Sequence, residues 1–252
     1  MFSWRKLAEK PFVIAHRGSS DSVPENTMAA FRKAIEDRAQ AIELDVRLSR
    51  DDEVVIIHDS RLERTTNGRG KVSDFNLTDL RTYDNGLWYN PKFSGEKIPT
   101  LSEVCKLTNT KVGLNIEIKP LEKHQKLLAE NCVQIIQQFK LQKSVLISSF
   151  EHSVVSAVKK LDSGIMTAII YSPVIHLGRN PSALAKKFDA DAFVISRNYL
   201  RDNMVIEAHN NKIAVFVYTI ENWSQLERMV NAKVDGVMTS SPRTIRRLLE
   251  KL

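Results

Sequence analysis

Cysteine is scarce in this chain: 252 residues carry only Cys105 and Cys132. Two cysteines so far apart match neither a disulfide scaffold nor the close spacing of a metal-binding pair, so both read as small buried hydrophobes. No run of about 18 apolar residues occurs, which leaves no candidate membrane span. Met1 to Lys10 mixes Trp4, Arg5, Lys6, Glu9 and Lys10 and lacks the apolar stretch of a secretory leader. A cytoplasmic, soluble protein is therefore expected. Nine Gly and eight Pro are too few for a collagenous or low-complexity chain, and neither a repeat nor a biased tract is visible.

Charge is present in a moderate excess. Lys and Arg number 37 against 30 Asp and Glu, a net +7 that suits anionic partners without choosing among phosphate esters, nucleic acid and acidic lipid. The one local concentration, Arg243 to Lys251, alternates with Ile245, Leu248, Leu249 and Leu252 and reads as a closing helix with a solvated basic face. No nucleic-acid reading motif is present and the other basic residues are dispersed, so a nucleic-acid partner is not expected.

Short apolar runs recur throughout: Phe12 to Ala15, Ala41 to Val46, Val54 to Ile57, Val112 to Ile118, Val145 to Ile147, Met166 to Tyr171, Ala192 to Ile195, Ile213 to Thr219 and Val234 to Met238. Most are rich in Val and Ile without polar alternation, as strands covered on both faces by helices should be. Helical spacing fills segments between them, including Thr27 to Ala39, Glu122 to Phe139, Ser153 to Leu161 and Asn222 to Val230. Asn26 stands where the cap of the first of these helices is expected.

One junction is too short for this βα pattern. Only Ser49 to Glu53 separate Leu48 from Val54, whereas a parallel crossover needs a dozen residues or more. Those two strands must pair antiparallel, which sets His58 roughly beside Asp45. Removing the return strand leaves eight parallel strands, the number that closes a (β/α)8 TIM barrel, and about 250 residues is the usual length of that fold. The turn-rich stretch from Asp59 to Pro99 then reads as part of an insertion, at about residues 46–99, in one domain spanning 1–252.

Barrel chemistry lies where strands end. His16-Arg17-Gly18 closes the first strand, Glu43 and Asp45 share a face of the second, and Asn115, Glu117 and Lys119 share a face of the fourth. Singly, each has a plainer role: a solvated histidine, rim charges, an internal Glu117–Lys119 ion pair. Together, so many charges at one barrel end would be costly to bury without a ligand. Three carboxylates supply the hard oxygens that Mg2+ or Ca2+ takes. His16 and His58 can exchange protons near neutral pH, and Arg17 and Lys119 suit a phosphate. That set describes phosphoryl transfer.

Beyond these residues the chain carries Pro24-Glu25-Asn26-Thr27, Ile42-Glu43-Leu44-Asp45-Val46, Val55-Ile56-Ile57-His58-Asp59, Arg64-Thr65-Thr66-Asn67-Gly68, Ile98-Pro99-Thr100-Leu101 and Ile116-Glu117-Ile118-Lys119. In order and spacing, from about Phe12 to Met238, it closely resembles the glycerophosphodiester phosphodiesterase family. The resemblance implies a TIM barrel with a small insertion after its second strand. It implies metal-dependent hydrolysis of glycerophosphodiesters such as glycerophosphocholine and glycerophosphoethanolamine to sn-glycerol 3-phosphate and an alcohol. One divalent ion, Mg2+ or Ca2+, would be held by Glu43, Asp45 and Glu117. His16 and His58 would form the acid/base pair, and Arg17 and Lys119 the phosphate contacts. Phe150, Phe188 and Tyr218 are candidates for packing the glycerol moiety. Departures are Tyr218, where many relatives have Trp, Ser240, where Asp is common, and Arg38, where Gly often ends the first helix. Other readings are a lysophospholipase D on a related barrel and a non-catalytic polyanion binder. The expected partner is a small-molecule substrate, for a monomer or small homo-oligomer without stable membrane insertion.

Overall fold

A computed structural model describes residues 2–5, 10–119 and 125–252. Among them the chain runs β1 (Phe12–His16), α1 (Met28–Glu36), β2 (Ala41–Leu48), β3 (Val54–Ile56), α2 (Leu77–Leu80), α3 (Leu101–Thr108), β4 (Gly113–Ile118), α4 (Gln125–Gln138), β5 (Val145–Ser149), α5 (His152–Leu161), β6 (Met166–Tyr171), α6 (Pro181–Lys187), β7 (Ala192–Ser196), α7 (Asp202–Asn210), β8 (Ala214–Tyr218), α8 (Trp223–Asn231), β9 (Gly236–Thr239) and α9 (Pro242–Leu249). Met1, Lys6 and Glu9 of the N-terminal stretch, and the start of the expected helix at Glu122, lie outside the described residues.

Eight strands pair parallel in the order β1-β9-β8-β7-β6-β5-β4-β2, and β2 pairs back with β1 to close the ring. β3 stays outside it, antiparallel to β2, with Val46 opposite Ile56 and Leu48 opposite Val54. The hairpin is the expected one, its register placing Ile57, one residue before His58, against Asp45 through the bond from Ile57 N to Asp45 O at 3.0 Å.

Strand alternation sorts the side chains. Ile42, Leu44, Ile116 and Ile118 face the helices and pack there with Val104, Leu128 and Ile136. The other parity faces the barrel axis, where Ile14, Leu146, Ala168, Val194 and Phe216 fill the interior. Trp4, fully buried, packs edge-on against Phe12 and Phe216, and its indole donates to Ser144 O at 3.0 Å. The N-terminal segment thereby stoppers the barrel at the end where the strands begin.

The excursion after β2 has a satellite core of its own, Val55, Ile57, Leu62, Val72, Leu80 and Ile98. Thr100 and Glu103 then form a reciprocal capping box that starts α3. In α9, Ile245 and Leu249 are buried while Arg243 and Arg246 pair with Asp37 and Glu250, as the solvated-face reading requires. Both cysteines are free and buried. Among the described residues no helix is long and apolar enough to cross a membrane.

Candidate active site

A cavity of about 280 Å³ opens at the C-terminal ends of the strands, lined on one side by His16, Arg17, Glu43, His58, Asn115, Glu117 and Lys119. Its opposite wall is Phe150, Ile170, Val194, Tyr218 and Met238. The split follows from register. His16 lies beside Glu43, Glu43 beside Asn115, and Asp45 beside Glu117, so inward-facing groups of β1, β2 and β4 form one contiguous charged sector. Strands β6 to β9 carry apolar residues at the same height.

β1 ends in a tight turn. Arg17 has φ of 58° and Gly18 of 84°, and a Cβ on Gly18 would stand 2.6 Å from Ala30 Cβ, so only glycine lets α1 pack this close. This turn directs the Arg17 backbone N–H to Glu43 Oε2 at 2.9 Å. Arg17 Nη1 donates to Glu25 at 2.9 Å while its Nε stands 3.3 Å from Asp45 Oδ2. His16 Nε2 is 3.8 Å from Glu43 Oε2.

Glu43, Asp45 and Glu117 each offer an oxygen within 4.8 Å of the others. Burial pushes the Glu43 carboxyl well above its ordinary range, and repulsion from Asp45 and Glu117 adds to the effect. Glu117 is raised by the same causes, burial first and then Asp45. For Asp45 burial also acts upward, but Lys119 and Arg17 outweigh it and hold it below the usual carboxylate range. Lys119 Nζ reaches Glu117 Oε1 and stands 2.8 Å from Asp45 Oδ1, which nonetheless accepts no well-directed hydrogen bond. Three converging carboxylates, two of them raised and one with an unfilled lone pair, fit a divalent cation of the oxygen-seeking kind.

Desolvation lowers the His16 imidazole to about 4, with Arg17 acting in the same direction. His58 is lowered chiefly by burial too. Its Nδ1 is 2.6 Å from Asp59 Oδ1, and Arg47 clamps its carbonyl with two bonds of 3.0 and 2.8 Å. Asp59 and Glu25 are then bridged by Arg64, which donates to Asp59 Oδ2 at 2.6 Å and to both oxygens of Glu25. A chain of ion pairs, Arg17–Glu25–Arg64–Asp59–His58, thus ties the β1 turn to the hairpin.

Nine of the ten residues singled out from the sequence meet here: His16, Arg17, Glu43, His58, Glu117, Lys119, Phe150 and Tyr218 line the cavity, and Asp45 lies directly beneath, in contact with Arg17 and Lys119. Phe188 does not. It ends α6, and its ring packs on His152 at 5.2 Å in the helix layer, so an aromatic just past a helix serves the core and is no glycerol contact. Ser240, a departure from the family pattern, does not line the cavity; its carbonyl accepts from Asp21 N at 3.2 Å.

Asn26 is the second correction. Thr27, not Asn26, caps α1 by accepting from Ala30 N, and the Asn26 amide instead donates to Asp45 Oδ2 at 2.8 Å. Its φ of 56° lies in the left-handed region, where asparagine is better tolerated than most residues and where it cannot act as a standard cap. Glu25, Asp59, Arg64 and Arg47 also shape the site, and all but Arg47 lie in the segments that carry the family resemblance. Ser148, which donates to Asn115 Oδ1 at 2.8 Å, carried no signal.

A family model described as the glycerophosphoryl diester phosphodiesterase family matches residues 16–244. The chain is 37% identical to a glycerophosphodiester phosphodiesterase of Caldanaerobacter subterraneus, over 96% of this chain and 99% of that protein. It is 30% identical to a glycerophosphodiester phosphodiesterase of Bacillus altitudinis, over 95% and 98%. Among solved structures it superposes with a TM-score of 0.89 and 30% identity, covering 96% and 97% of the two chains, on an Oleispira antarctica phosphodiesterase in complex with the product sn-glycerol 3-phosphate. The residues matched by the family model include every one that lines the cavity. The chain belongs to the glycerophosphoryl diester phosphodiesterase family and is an enzyme of that class.

Proposed function

We propose that this enzyme hydrolyses glycerophosphodiesters such as glycerophosphocholine and glycerophosphoethanolamine, releasing sn-glycerol 3-phosphate and the head-group alcohol. The observation that carries the reading is the meeting of two imidazoles, three carboxylates and two cations around one small cavity. Glu43, Asp45 and Glu117 would hold one divalent ion, Mg2+ or Ca2+, which when bound polarises a phosphate oxygen.

The chain's own groups supply the rest. Arg17 and Lys119 hold the phosphate and offset its charge, Arg17 by forked donation and Lys119 as a point charge. One of His16 and His58 takes the proton of the attacking oxygen, and the other gives a proton to the departing alcohol, so the pair is restored after the next exchange with water. Asp59 fixes the ring of His58 through Nδ1, leaving Nε2 for that exchange. Phe150 and Tyr218, on the wall across from the charges, supply apolar surface for the carbon skeleton.

The test is release of sn-glycerol 3-phosphate from glycerophosphocholine. Chelation is expected to abolish it, and added Mg2+ or Ca2+ to restore it. His16→Ala and His58→Ala are each expected to lower kcat by about 10²- to 10⁴-fold. Full turnover by either variant overturns the acid/base assignment, and release of choline from lysophosphatidylcholine in preference to glycerophosphocholine favours the lysophospholipase D reading.

A further inference from the structure

The loop that leaves β6 presents Val174, Ile175 and Leu177 to solvent at 73%, 61% and 81% exposure. Three large aliphatic side chains so fully exposed on one loop are not explained by packing. Nor is the loop loose. His176 N donates to Ser172 O at 2.9 Å, Gly178 N to Pro173 O at 2.9 Å and Arg179 N to His176 O at 3.0 Å. The His176 ring turns inward, stacks on His152 at 4.3 Å and accepts from Ser172 N at 3.0 Å. One polar residue is thus used to anchor the loop while its apolar neighbours point away.

Position and charge say what covers it. Ile170, at the end of β6, lines the catalytic cavity, so the loop stands on the rim of the mouth. The next loop on the rim, after β7, leaves from beside it because Tyr171 pairs with Ile195. That loop exposes Tyr199 and Arg201 and carries Arg197. Arg179 and Arg201 are exposed, whereas Arg197 is turned to Thr219 O; no acid lies between Ser172 and Asn180 or between Arg197 and Arg201, and the first acid beyond is Asp202, which opens α7. The neighbouring acid Glu207 is engaged by Asn180 at 2.8 Å. Across the ring, Leu87 and Trp88 are exposed on the excursion, whose Tyr89 hydroxyl donates to Asp21 O on the β1 side of the mouth.

We propose that this rim is a docking surface for an anionic lipid bilayer, with Val174, Ile175 and Leu177 entering the interface and the exposed Arg179 and Arg201 facing acidic head groups. Apolar tips flanked by arginines bind a surface in this way, peripherally and reversibly. Docking turns the mouth toward the membrane, so material leaving the lipid surface meets the cavity first. Docking of this kind is independent of which diester the site prefers.

The full chain is mixed with sedimentable vesicles of phosphatidylcholine containing phosphatidylglycerol, and with vesicles of phosphatidylcholine alone. Binding is expected to the first, weakening at high salt as screening removes the charge component. Val174→Asn, Ile175→Asn and Leu177→Asn combined is expected to weaken it at least about tenfold, the least that losing one buried aliphatic side chain produces. Asparagine tolerates the φ of 52° at position 177, and unchanged hydrolysis of soluble glycerophosphocholine shows that the variant folds. In a second measurement, Ile175→Trp in the otherwise intact chain is expected to gain fluorescence quenching by brominated phosphatidylglycerol beyond that of the parent. Failure to bind acidic vesicles overturns the proposal, as does binding that survives the triple change. So does self-association in solution that the triple change abolishes without vesicle binding, which makes the patch a face between copies of this chain.

Discussion

Asn26 shows how a single amide can govern a charged site. Its donation to Asp45 Oδ2 directs one of the three converging carboxylates, and its left-handed backbone would strain most replacements. Asn26→Gly keeps the backbone at ease and removes the amide. It is expected to raise the divalent-ion concentration for half-maximal activity by about 10- to 100-fold, the usual effect of losing a partner that orients a ligand, with kcat at saturating metal within a few-fold of the parent. A metal titration of activity checks this; an unchanged half-point with lowered kcat would make Asn26 a fold residue alone. The converging carboxylates could be read from the sequence because they share one parity of neighbouring strands, as Glu43 and Asp45 of β2 and Glu117 of β4 do. Asn26 could not, because a polar residue before a helix looks the same whether it caps that helix or reaches across to the next strand. Phe188 failed for a related reason: closeness in sequence to an apolar run does not say on which side of a helix a ring falls.

Among the elements, α1 and the excursion after β2 each invite a test. The chain leaves α1 through Arg38, exposed and at φ of 58°, where a side chain costs about 1 kcal/mol and glycine nothing. Arg38→Gly is expected to raise unfolding free energy by up to about 1 kcal/mol, since part of that gain is returned as chain entropy. A shift of the urea midpoint measures it. In the excursion, Asp84 accepts the backbone N–H groups of Gly86, Leu87 and Gly95 at 2.8, 2.7 and 2.5 Å. Partial burial pushes this carboxyl up, but those donors outweigh it and lower it to about 2 from an ordinary 3.8. A group depressed on folding stabilises the fold above its unfolded value and loses that effect as pH falls through its folded one. Asp84→Asn is therefore expected to be less stable than the parent at neutral pH, with the gap closing between about pH 4 and pH 2 in urea melts. The hairpin that begins this excursion was legible because five residues cannot make a crossover. Its satellite core was not, since Leu62, Val72, Leu80 and Ile98 are spread through turn-rich sequence without a period.

For the molecule as a whole, the barrel is held at the bottom by a residue outside every strand and helix. Trp4 is wholly buried against Phe12 and Phe216, yet nothing in the first ten residues but its size marks it as structural. Trp4→Ala is expected to cost about 3–5 kcal/mol of stability, as large-to-small changes in cores do, while kcat and KM stay within a few-fold below the melting transition. Thermal melts beside steady-state assays separate the two effects. The mouth has its own large-scale order: the charged lining residues fall between His16 and Lys119, and the apolar wall between Phe150 and Met238. Charged and apolar lining are therefore written in successive halves of the sequence, which meet among the described strands where β4 pairs with β5 and β9 with β1. Recombination near residue 119 with another member of the family would exchange the apolar wall and leave the charged lining intact. Such chimaeras would show whether one charged half can serve several apolar walls.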